Sequence, residues 1–192
     1  MVVDSPALPV IETPRLRLRC AEPRDADALV AMMSETVSRR LASWPVPYTR
    51  PMALDRIAGV RLAAAQGRSL PLVVERKPDG AVLGWISASR APGDETTALL
   101  TYWLGEAHQG HGYMREAARA MIDHAFAMMN VARLRAAVQG DNAASLSVVQ
   151  LLGMRPLGEG RIWCPARGRE ESCLWFELPR PDTAALPTIA AA

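Results

Sequence analysis

Residues 109 to 114 read QGHGYM and run directly into REAARAMIDHAFAMMN. Two glycines around a histidine at a helix entrance need a cause, because glycine loses more conformational freedom on ordering than any other residue. One cause is a tight turn out of a strand. The other is a close approach to the backbone: the first amides of a helix have no intrahelical acceptor and carry about half a positive charge. Flanking glycines let such amides wrap an anion with no side chain in between, so the chemistry offered is phosphate binding. This is not a Walker loop, since Tyr113 and Met114 follow Gly112 where a lysine and a hydroxyl residue are required. It is not a dinucleotide fingerprint either. Arg115 stands where the third glycine belongs, and no acidic residue closes a following strand.

Other reactive side chains form weaker patterns. His108, His111 and His124 lie near one another in sequence, but without ligand spacing or a carboxylate motif, so no metal is expected. Cys20, Cys164 and Cys173 are odd in number and lack metal-ligand spacing, which places them as reduced thiols in a cytoplasmic protein. Trp44 and Tyr48 sit among prolines in WPVPY and either line a substrate groove or cover the core. Asn142 and Asp141 are both suited to cap a helix.

These residues need a frame. Residues 15–20, RLRLRC, alternate leucine with arginine at the period of a strand. Asp25 caps a helix through ADALVAMM, and a second helical piece covers 34–43. Prolines 45 and 47 force an extended loop. A helix over 52–66 ends at Gly67. Strands follow over 70–76, 81–90 and 96–104, with turns at Pro78-Asp79-Gly80 and APGDE. In the next helix Met114, Ala117, Ala118, Met121, Ile122, Ala125, Phe126 and Met129 make one apolar stripe. A strand over 133–138, a short helix over 142–152 and a hairpin over 163–178 complete the order. It reads as an α/β fold: a mixed, partly parallel twisted sheet flanked by helices on both faces. A single domain is expected over 11–178, with loose tails at 1–10 and 179–192.

Composition narrows the function. The 192 residues carry a net charge of +2 and 49% hydrophobic residues, with no basic block to bind nucleic acid. No apolar run approaches the roughly 18 residues of a membrane span. The first ten residues lack the pattern of a secretory signal, and no membrane partner is expected.

The strand ending YWL, the QGHGYM-REAARAMIDHAF helix, RLRAAV, and then DNAAS with LLGM resemble the acetyl-CoA-binding half of the GNAT N-acetyltransferase superfamily. ETPRLRLR and the WPVPYT loop are similar to its RimJ/RimL-like branch, the ribosomal-protein N-terminal acetyltransferases. The resemblance spans about residues 11–178. It implies an acetyl-CoA-dependent N-acetyltransferase acting on a primary amine, a protein N-terminus or a small molecule, by direct attack on the thioester. Gln109, Gly110, His111, Gly112, Tyr113 and Met114 would hold the CoA pyrophosphate through backbone amides. Met114 departs from the small residue usual at its position. Trp103 and Leu104 would pair through their backbone with the pantetheine arm as an added strand. A backbone amide near Leu104 would meet the oxyanion. Asn142 would hydrogen-bond the pantetheine, cap its helix, or do both.

The resemblance leaves the proton transfers less furnished. The strand carboxylate common in relatives is replaced by Ala98 and its neighbours, and the nearest acids, Asp94 and Glu95, lie in a turn. The tyrosine usual seven residues after the capping Asn is Val149, which leaves Ser145 of N-x-x-S as the candidate catalytic group on the leaving sulfur. An N-terminal amine, with a pKa of about 8, costs roughly 3.3 kcal/mol less to deprotonate than a lysine of about 10.4. It can therefore manage with ordered water where a lysine needs a base. A non-catalytic CoA-binding sensor or scaffold is the alternative, and transfer of another acyl group or to a hydroxyl differs only in pocket shape. The hairpin carrying Trp163 and Trp175 could pair two copies as a homodimer.

Overall fold

The computed structural model describes residues 10–181. β1 (Ile11–Glu12) turns back into β2 (Leu16–Cys20), where Leu16 and Leu18 are fully buried on one side. Arg19, on the other side, is buried too. Its guanidinium donates to Asp25 at 2.8 and 2.9 Å and to Glu75 at 2.6 Å. Asp25 was expected to cap the first helix, but α1 (Ala26–Met32) starts without a side-chain cap. A buried carboxylate needs its charge met, and Arg19 with the amide of Glu22 claims both oxygens.

The helical piece expected over 34–43 shrinks to α2 (Glu35–Ser38), whose first turn is capped by Ser34. Beyond it the chain is fixed by side chains, Ser38 Oγ donating to the carbonyl of Trp44 at 2.6 Å. α3 (Arg50–Ala65) follows Thr49 as cap, with a proline in its first turn. A meander of β3 (Ser69–Arg76), β4 (Val82–Ala91) and β5 (Asp94–Leu104) comes next. β3 is buried at seven consecutive positions because helices cover both of its faces.

α4 (Tyr113–Met129) lays its apolar stripe on one face of the sheet, where Met114, Ala117, Ala118 and Met121 meet Leu18, Leu72 and Ile86. α1 and α3 cover the other face over Val73, Trp85 and Trp103. β6 (Arg133–Val138), α5 (Ala143–Leu151), β7 (Arg155–Cys164) and β8 (Arg169–Pro179) form the second half, with α5 packing Val149 against Ala136, Val138 and Phe176. The eight strands of the described residues make one sheet in the order β1-β2-β3-β4-β5-β6-β8-β7. Only β5 and β6 are parallel.

The last hairpin begins at Arg155, eight residues before its expected start. β7 is mostly exposed and rich in glycine and charge, so it shows no apolar period. β8 runs through Pro179, and the Arg180 amide donates to the carbonyl of Ala132 at 2.8 Å, so no tail begins at 179. The expected tails otherwise fall mainly at 1–9 and 182–192, outside the described residues. Among the described residues no helix is long and apolar enough to cross a membrane.

Candidate active site

β5 and β6 pair at Thr97–Arg133, Ala98–Leu134 and Leu99–Arg135, and then part. Beyond that point residues 100–104 keep their ladder to β4 on one side, and 136–138 keep theirs to β8 on the other. The gap is a cleft of about 630 Å³. One bank carries Tyr102, the start of α4, Asn142 and Ser145; the other carries residues 36, 37 and 39–43, Arg135 and Gln139.

The glycine pair stands at the head of the first bank. Gly110 and Gly112 have φ of 79° and 78°, left-handed values that L side chains rarely adopt. Gly112 is the N-cap of α4, so the first-turn amides have no capping side chain. Met114 turns its side chain into the core, 8% exposed, and leaves the cradle to its amide. Gln109 braces the loop, its Nε2 donating to the carbonyl of Leu104 at 3.0 Å. His111 stacks on Tyr113 with 5.6 Å between ring centroids.

A second brace comes from the β1–β2 corner. Glu116 accepts from Thr13 Oγ1 at 2.6 Å, from the Arg15 amide at 2.8 Å and from Arg15 Nε at 2.7 Å. Arg15 also donates to the carbonyl of His111 at 3.0 Å and covers the Tyr113 ring at 4.6 Å. Burial pushes the Glu116 carboxyl up, but these hydrogen bonds outweigh it and hold the group ionised below its usual range. Arg76 stands beside the Tyr113 hydroxyl, and Arg115 donates to Ser147 Oγ at 2.5 Å. Three guanidiniums thus stand about the loop, those of Arg15 and Arg76 paired with Glu116 and Asp79. Thr13 and Arg15 belong to the ETPR stretch, but reading its residues alone assigned them no task.

At the start of α5, Asn142 Oδ1 accepts from the Ser145 amide at 3.2 Å, a true cap, and its NH2 group has no partner among the described residues. The Ser145 hydroxyl lies 2.8 Å from that of Tyr102. Burial pushes the Tyr102 hydroxyl up to about 12, with the Ser145 hydrogen bond working the other way, so the phenol stays protonated. Sequence reading missed Tyr102, which sits in an apolar strand 43 residues from its partner. Val149 is fully buried beneath β6 and does not line the cleft.

Trp44 and Tyr48 do not line it either, which removes them as substrate-groove residues and leaves the other reading, cover for the core. They are 1% and 6% exposed, inside the core under α1 and α3. Trp44 packs edge-on to Trp103 and Trp85, with centroids 5.0 and 5.5 Å apart. Burying so large an apolar surface outweighs exposing it in a loop. The ring of Trp103 is locked in this cluster and its main chain lies in the ladder to β4, so at this end of β5 it is Leu104 whose carbonyl turns toward the glycine loop, where it accepts from Gln109.

Asp94 takes hydrogen bonds from the Thr96 hydroxyl, the Thr97 hydroxyl and the Thr96 amide, which lower its carboxyl to about 2, and it lies outside the cleft. Glu95 pairs with Arg90 at the surface. Among the described residues the one carboxylate lining the cleft is Asp141, and its hydrogen bond from Arg40 holds it below the usual carboxylate range.

The sequence profile of the Acetyltransferase (GNAT) domain matches residues 15–155. The chain belongs to the GNAT acetyltransferase family. This acetyltransferase is 27% identical over 173 residues to the uncharacterized N-acetyltransferase p20 of Bacillus licheniformis, covering 90% of this chain and 97% of that protein. Its fold is shared with the ribosomal-protein-S5-alanine acetyltransferase of Vibrio fischeri, with a TM-score of 0.74, 23% identity and 91% and 98% of the two chains covered. RimJ of Mycobacterium smegmatis, solved in complex with CoA-disulfide, superposes with a TM-score of 0.70 at 24% identity over 90% and 84%. The acetyltransferase offers a phosphate the uncapped amides of α4, and offers an extended ligand the free edge of β5 and the NH2 group of Asn142. That set fits the diphosphate and amide-bearing arm of acetyl-CoA.

Proposed function

We propose that this acetyltransferase moves the acetyl group of acetyl-CoA to the α-amine of a peptide or small molecule by direct attack of the neutral amine. The observation that carries the reading is the parting of β5 from β6 onto the glycine-flanked start of α4. An unpaired strand edge and uncapped helix amides thereby face one cleft. Bound acetyl-CoA supplies the activated acyl carbon. The amides of Gly110 to Met114, with Arg15, Arg76 and Arg115 near them, hold the pyrophosphate. Leu104, on the open edge of β5, presents its main chain to the pantetheine arm, and Asn142 adds its NH2 group. Amides along the same edge meet the charge that grows on the thioester oxygen. Ser145 donates to the departing sulfur, with Tyr102 fixing the direction of its hydroxyl.

The absence of a competent base in the described cleft supports the α-amine. Asp141, tied to Arg40, is too acidic to take a proton from a lysine ammonium. An amine with a pKa of about 8 needs only water. The three unpaired thiols support action in the reducing cytoplasm. Trp163, 57% exposed on β7, supports the hairpin as the place where two copies would meet.

Thiol release from acetyl-CoA tests the reading, with peptides bearing a free α-amine set against N-blocked peptides bearing only lysine. The α-amine set should turn over at least about tenfold faster, and kcat/KM should rise about tenfold per pH unit until it levels at the amine's own pKa. Changing the amine should move that break. Faster turnover of lysine would overturn the proposal. Cofactor binding without thiol release from any amine would instead establish the sensor reading.

A further inference from the structure

The cleft has two faces, and the strand periods separate them. Along β6, Leu134, Ala136 and Val138 pack into the cores beneath α4 and α5. Arg135 and Gln139 therefore face the opposite way, toward residues 36–43. That wall is tied to β6 by Arg40, which donates to Gln139 Oε1 at 3.1 Å and pairs with Asp141, and by Gln139 Nε2, which donates to the carbonyl of Arg39 at 2.9 Å. With the phosphate cradle on the α4 side, this second face is the one left for the acceptor.

Its charge is one-sided. Arg39, Arg40 and Arg135 line it against a single carboxylate, Asp141, which Arg40 already occupies. Arg39 is exposed and makes no ion pair among the described residues. Arg135 stands at the vertex, as the last residue of β6 to pair with β5. Its Nε donates to Glu177 at 2.9 Å, and the other oxygen of Glu177 accepts from Arg155 at 2.7 Å. The Glu177 side chain is 6% exposed, so one buried carboxylate anchors two guanidiniums and leaves a net positive charge. Held by Nε, Arg135 keeps both terminal NH2 groups without a hydrogen-bond partner among the described residues, on a side chain 34% exposed in the cleft. A guanidinium fixed in this way is prepared for a carboxylate.

We infer that the acceptor face holds an anion-binding subsite, with Arg135 at its floor and Arg39 at its rim, which selects α-amines that carry a carboxylate close by. Such acceptors are peptide N-termini with Asp or Glu in the first positions, or free acidic amino acids. A lysine beside the amine meets three arginines and is disfavoured. The inference rests on the acetyltransferase reading for its use, but not for its measurement.

Matched peptides beginning with Asp, Asn or Lys test it in two ways. Calorimetry with their N-acetylated products reads the subsite without turnover, and kcat/KM reads it during transfer, with free aspartate separating a small-molecule acceptor from a peptide. The Asp peptide should exceed the Asn peptide about tenfold in both measurements, with the Lys peptide weakest and the preference shrinking as salt is added. Arg135→Gln should collapse the Asp-to-Asn ratio to within about threefold, and Arg135→Lys should retain part of it. Equal binding of the three peptides by the unaltered protein would overturn the inference, as would an Asp-to-Asn ratio that survives Arg135→Gln. Calorimetric preference for the acidic product with no acetylation of any amine would uphold the subsite and sink the transferase reading instead.

Discussion

The two banks of the cleft are built from different material. On the cofactor bank the working groups are main-chain amides at the head of α4 and along the edge of β5, and side chains such as Gln109, Arg15 and Glu116 hold that backbone in place. On the acceptor bank the working groups are side chains. Arg39 and Arg40 come from one segment, Arg135 from a strand about a hundred residues later, and Glu177 from the last strand. A backbone site asks only for a conformation and so tolerates change in most side chains. A side-chain site changes its preference whenever one residue changes. On the proposed reading, then, the cofactor is held where most side-chain changes do little, the glycines excepted, and the acceptor is chosen where a single side chain decides.

The largest effect that would break this contrast is expected at Gly112. A glutamate there must adopt φ near 78° and sets a carboxylate beside the pyrophosphate. Gly112→Glu should weaken acetyl-CoA binding by more than about a hundredfold in calorimetry, while circular dichroism reports a folded protein. Unchanged affinity would mean the amides of this loop do not hold the cofactor.

A smaller effect sharpens the account of the leaving sulfur. Ser145→Ala should lower kcat by roughly 10–100-fold with little change in the KM for acetyl-CoA, and Tyr102→Phe by about 5–10-fold. Because Tyr102 acts through Ser145, the double variant should be no slower than Ser145→Ala alone. Losses that multiply would show two independent roles.

The smallest effect probes how separate the banks are. Arg15→Ala releases Glu116 and the His111 carbonyl, and should raise the KM for acetyl-CoA about 3–10-fold with kcat within about twofold. The acceptor KM should stay where it was. If it moves as well, the loop and the acceptor face are coupled.

The same contrast explains what could be read before the fold was known. The apolar stripe of α4 repeats at helical spacing, and its glycine entrance advertises a backbone conformation, so both were legible in one stretch of chain. β6 was legible for a similar reason, since its alternate residues are buried. Tyr102 was not, because a strand covered on both faces shows no period, and its partner lies 43 residues away. The Arg135–Glu177 pair spans 42 residues and is joined only by sheet pairing. β7 lacked a signal because it buries little. Trp44 and Tyr48 were legible as fixed aromatics with groove and core both open: sequence marks an aromatic among prolines, while packing decides which way it turns, here into the core.

The seam between the two halves of the sheet has three rungs, Thr97–Arg133 to Leu99–Arg135. An extended ligand that hydrogen-bonds along the open edge of β5 lengthens that seam from within, acting as a removable structural member as well as a reactant. Occupancy and rigidity then rise together, and each turnover that releases the ligand also shortens the seam that joins the two halves.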